Sequence, residues 1–101
     1  MFDVLVVGTG LAGLSAALEA KKAGLSVAIM TKGNPFRSNS SMASGGINAA
    51  LGTAEPDLPS LHAQDTIAGA DGLSGEKAVR FLCDNGPKTV QMLDKIGRAH
   101  V

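Results

Sequence analysis

Cysteine is nearly absent from this sequence. Cys83 stands alone among 101 residues, within a helically spaced stretch, and is expected to be a small buried or half-buried residue rather than a reactive one. Net charge is absent as well. Nine basic and nine acidic residues cancel, which argues for neither nucleic acid nor an anionic membrane as a partner. No run of about 18 apolar residues occurs, so neither a transmembrane helix nor direct membrane insertion is expected. Strand-like residues begin at Phe2, which leaves no room for a signal peptide. There are no internal repeats. Together these absences predict a cytoplasmic globular protein of one domain at most. An apolar share of 45 % is ordinary for that class and supports a modest core.

One absence is local. No acidic residue occurs from Ala20 to Ala54, whereas Lys21, Lys22, Lys32 and Arg37 all fall there. Lys21 and Lys22 read as solvated helix residues. Lys32 and Arg37 follow a predicted strand, on the edge where a parallel sheet takes its ligand, and favour a phosphate-bearing group.

The stretch present in place of these missing features is FDVLVVGTGLAG, Phe2 to Gly13. Val4, Leu5, Val6 and Val7 are strand formers without alternation, the pattern of a strand buried on both faces. Gly8, Gly10 and Gly13 fit G-x-G-x-x-G, and Leu11 to Ala23 reads as a helix closed by Gly24. A second strand follows at Ser26 to Met30. Each glycine has a physical task. Gly8 permits the turn out of the strand, Gly10 lets a pyrophosphate lie against the backbone, and Gly13 lets helix and strand pack closely. First-turn N–H groups and the helix dipole then face the phosphates. The unit is α/β and dinucleotide-binding in type, against the plainer alternative of a βαβ unit without a ligand. Thr31 ends the second strand where an acid usually holds the ribose of NAD, so a standard NAD site is disfavoured.

Gly33 to Gly52, GNPFRSNSSMASGGINAALG, reads as a loop. Met42, Ala43, Ile47, Ala49, Ala50 and Leu51 are the small or apolar residues expected of a loop that lies buried against something, with a glycine-rich surface turn as the equal alternative on spacing alone. Gly45 and Gly46 would let the backbone approach a flat ligand. Ser38, Asn39, Ser40, Ser41 and Ser44 offer uncharged polar groups.

These residues carry a resemblance. DVLVVGTGLAGLSAAL, TKG, SNSSMASGGINAAL, HAQDT, GADGL and AVRFL together resemble the amino-terminal part of the FAD-dependent family of fumarate reductase and succinate dehydrogenase flavoproteins and L-aspartate oxidase. The resemblance covers Phe2 to about Ile96. It implies a partial Rossmann-like FAD-binding βαβ unit, followed by a loop and helices leading to a capping domain. Position by position, it implies cofactor contacts from Gly8, Thr9, Gly10, Leu11, Ala12 and Gly13, from Thr31 and Lys32, and from Ser38, Asn39, Ser40, Ser41, Met42, Ala43, Ser44, Gly45 and Gly46. Members in membrane complexes join FAD to a histidine, and Asn39 occupies that position here, so non-covalent FAD is implied. Asn39 to Ala49 is closer to the fumarate reductases and Thr31-Lys32-Gly33 closer to the oxidase. The resemblance further implies hydride transfer at a dicarboxylate or amino-acid substrate and an electron-transfer partner subunit. The family's substrate arginines and proton-transferring residue have no counterpart in this chain, so no catalytic residue and no metal site is assigned. An NAD(P)-binding dehydrogenase domain and a non-enzymatic nucleotide-binding module are the alternatives.

Beyond a polar linker at Glu55 to Pro59, Ser60 is expected to cap a helix through about Ala68. His62, Asp65 and Thr66 match an H-x-x-D-T pattern of the family, with a local structural role expected. Ser74 is expected to cap a second helix, Asn85-Gly86 to stop it, and Pro87 to start a third. Residues 1–57 thus read as the first part of an FAD-binding domain, 58–96 as its helical continuation, and 97–101 as an artefactual tail in which His100 has no function.

Overall fold

A computed structural model describes residues 1–97; Arg98 to Val101, and with them His100, lie outside the described residues. The chain divides into two compact units, Met1–Gly45 and Gly46–Val101.

The first unit is a βαβ arrangement. β1, Val4–Val7, and β2, Val27–Met30, form a two-stranded parallel sheet, with Val4 opposite Val27 and Val7 opposite Met30. Between them runs α1, Leu11–Lys22. Both strands are shorter than predicted because their first residues are used differently. The Asp3 N–H donates to the Ser26 carbonyl at 3.0 Å, and the Asp3 carboxylate accepts the Ser26 N–H at 2.8 Å and hydroxyl at 2.7 Å. This side-chain bond, with the backbone one, holds the Asp3 carboxyl below its ordinary pKa.

α1 lays Gly13, Ala17 and Ala20 towards the sheet, at helical spacing, and Ala17 is buried. Small residues here let helix and strands approach closely. α1 ends as predicted: Gly24 has φ +84°, its N–H donates to Lys21 at 3.0 Å, and Leu25 N–H donates to Ala20 at 3.1 Å. This is a Schellman motif, and it turns the chain into β2. The predicted burial of β1 on both faces is corrected. Val4 and Val6 are half-buried, but Leu5 is 60 % and Val7 72 % exposed. One helix covers one face only, and these residues supply nothing for the other.

The predicted loop contains a single helical turn, α2, Asn39–Met42. Ser38 caps it by accepting the Ser41 N–H at 3.1 Å, while Ser41 Oγ accepts the Ser38 N–H at 3.0 Å. This is the reciprocal capping box, with serine in place of the usual Glu or Gln.

The second unit is a helical hairpin of α3, Pro59–Gly69, and α4, Glu76–Lys95. Two expectations fail here. Ser60 does not cap α3; Leu58 is the N-cap and Pro59 the first helical residue, a position where proline's missing N–H costs nothing. Nor does Asn85-Gly86-Pro87 divide α4, which Gly75 rather than Ser74 precedes as the N-cap. Pro87 removes the N–H that the Cys83 carbonyl would accept, a cost of about 3 kcal/mol in a helix interior. Cys83 and Val90 are both buried, at 0 % and 6 % exposure. They are seven residues apart, so they share one helix face. Stopping at Asn85 would give up the second of them, worth about 1.5–3 kcal/mol. Side-chain bonds brace the same turns: Asn85 Nδ2 donates to the Phe81 carbonyl at 2.8 Å, and Thr89 Oγ1 to that of Asn85 at 3.0 Å. Gly86 itself lies against Ala49. No helix among the described residues is long and apolar enough to cross a membrane.

Candidate functional site

In the first unit the glycine turn from Gly8 to Gly13 follows β1, and Thr31 and Lys32 follow β2, all at the carboxyl end of the two strands. Gly8 leaves β1 at φ +112°, a conformation that side chains rarely adopt, and its N–H still extends the ladder to Met30 at 2.7 Å. A Cβ on Gly13 would overlap the Gly8 carbonyl oxygen and press on Val6 Cγ1. These two glycines are therefore required by the protein itself.

Gly10 is different. As the N-cap of α1 it has φ −72° and ψ 176°, open to any residue. A Cβ there would meet only Ser40 Oγ, at an ordinary 3.5 Å. Among the described residues only Ser40 borders the space beside Gly10, which leaves room there for a ligand. Leu11, Ala12 and Gly13 begin α1, and first-turn N–H groups have no carbonyl within the helix to pair with. One of them is used: Leu11 N–H donates to Ser40 Oγ at 3.0 Å. α1 has no acidic residue in its first turn, and Thr31, Lys32 and Arg37 are exposed just beyond β2. Backbone donors, open space and unopposed positive charge suit the pyrophosphate of a dinucleotide.

The serine-rich segment reaches this place through Ser40. An Asn34-to-Arg37 turn, closed by Arg37 N–H donating to the Asn34 carbonyl at 3.0 Å, leads into α2. Ser41 Oγ donates to the Phe36 carbonyl at 2.7 Å and anchors α2 to that turn. Asn39, the first residue of α2, and Met42, its last, are exposed. Ala43, the C-cap of α2, is extended, and the chain bends at Gly45. A Cβ at Gly45 or Gly46 would meet no protein atom within 4 Å. The two units divide between these glycines, so Gly46 is the one predicted site residue that the first unit does not hold. The Leu11–Ser40 and Asp3–Ser26 pairs were not foreseen; no short-range pattern joins residues 29 or 23 positions apart.

In the second unit, Thr66 Oγ1 donates to the His62 carbonyl at 2.7 Å. This is the local role expected of it. His62 and Asp65 line a cleft with Asn48 and Asp57, and His62 Nδ1 is buried with no hydrogen-bond partner among the described residues.

A family model described as an FAD binding domain matches residues 3–99. The chain belongs to this FAD binding domain family. It is 43 % identical over 97 residues to the succinate dehydrogenase flavoprotein subunit of Coxiella burnetii, covering 95 % of this chain and 16 % of that protein. It is 45 % identical over 96 residues to the chloroplastic L-aspartate oxidase of Oryza sativa subsp. japonica, covering 95 % of this chain and 14 % of that protein. Among solved structures, the Mycobacterium smegmatis Sdh1 complex in the apo form matches with a TM-score of 0.89 at 34 % identity, over 95 % of this chain and 16 % of that one. The chain thus spans about one-sixth of the length of these relatives. Its fold is the partial βαβ unit with helices that the sequence predicted, and FAD is the cofactor of the domain family to which it belongs.

Proposed function

We propose that this chain is the pyrophosphate-binding part of a flavin-dependent oxidoreductase of the succinate dehydrogenase and fumarate reductase class. The observation that carries the reading is Gly10, a glycine that neither backbone conformation nor packing demands, set at the start of α1 beside Ser40. The residues have separate tasks in it. Gly8 and Gly13 hold the turn in shape. Thr9, Gly10, Leu11 and Ala12 surround the pyrophosphate, with Ser40 at its side. Thr31 offers a hydroxyl to the ribose in place of the usual acid, and Lys32 balances phosphate charge. Ser38 and Ser41 fix the turn that displays Asn39 and Met42. Ala43, Ser44, Gly45 and Gly46 run along the flavin. FAD, when bound, supplies the hydride chemistry, and the chain's residues supply binding and orientation.

Asn39 has no nucleophilic ring nitrogen, so the FAD is held without a covalent bond. The substrate is of the dicarboxylate type, its binding and proton-transfer groups come from outside this chain, and an electron-transfer subunit is the partner. A second reading, L-aspartate oxidase, draws on Thr31-Lys32-Gly33 and on the plant oxidase's similarity over the same residues. Residues 1–57 then form the first part of the FAD-binding domain and 58–96 the segment leading to a capping domain. Steady-state assays of the full-length protein with fumarate, succinate and L-aspartate test these readings. Flavin absorbance with turnover of succinate or fumarate is expected. Turnover of L-aspartate selects the second reading, and a purified protein without flavin absorbance rejects both.

A further inference from the structure

We draw no further inference here: the strongest candidate, the cleft of the second unit lined by Asn48, Asp57, His62 and Asp65, carries nothing, because His62 is only half-buried, no group of three or more acidic, histidine or cysteine side chains among the described residues is placed to hold a metal ion, and nothing in the structure shows what would occupy it.

Discussion

Gly13 is packed directly on Gly8: the space a Cβ would need on the first is taken by the carbonyl oxygen of the second. Helix and strand meet here without a side chain between them, so the first turn of α1 lies at the carboxyl end of β1. The obstacle is backbone, not the mobile end of a side chain. Gly13→Ala should destabilise the protein by about 1–3 kcal/mol, the usual cost of overpacking. Chemical denaturation checks this, and an unchanged midpoint would contradict the packing.

Gly10→Val separates binding from folding. The N-cap backbone is already extended and the surroundings are open, so the melting temperature should change little. FAD should no longer bind, because the side chain fills the pyrophosphate's place. Stoichiometric flavin in the purified variant would remove this turn from the site.

Flavin should leave the full-length protein on acid precipitation. Asn39 is exposed at the start of α2, and its amide makes no covalent bond to an isoalloxazine ring. The supernatant is expected to be yellow and the pellet colourless, measured by absorbance of both. Colour held in the pellet would locate an attachment residue elsewhere.

The Asp3–Ser26 pair should make stability sensitive to acid. The folded-state pKa of Asp3 lies below the ordinary 3.8. Its contribution is thus present in full above that value and is lost as pH falls through the lower folded-state pKa. Asp3→Asn should lower the unfolding midpoint at pH 7, and the gap from the parent should close in strong acid. A gap independent of pH would assign the effect to packing.

The 101 residues expressed alone should bind FAD poorly and associate. Leu5 and Val7 leave one sheet face apolar and open, a two-stranded sheet has both edges unpaired, and exposed patches of this kind promote association. Gel filtration with FAD fluorescence titration tests it. A monomer with micromolar affinity would show the chain to be self-sufficient.

What the sequence determined by itself was local and periodic. A run of strand-forming residues, three glycines at set spacing, a helix of small residues and a closing Gly24 each act within a few positions, so β1, α1 and β2 were legible from them. Asn39, Thr31 and the acid-free stretch were legible too, as chemistry rather than shape. Tertiary structure decided the rest. It divided the glycines into two that the fold requires and one, Gly10, that it does not. It clasped Asp3 to Ser26 and Leu11 to Ser40, bonds between residues that only the return of the chain brings together. It carried α4 through Asn85, Gly86 and Pro87, where the burial of Val90 on the face of Cys83, together with the Asn85 and Thr89 side-chain bonds, offsets what those residues favour locally. Propensity acts along the chain, whereas burial is settled across it.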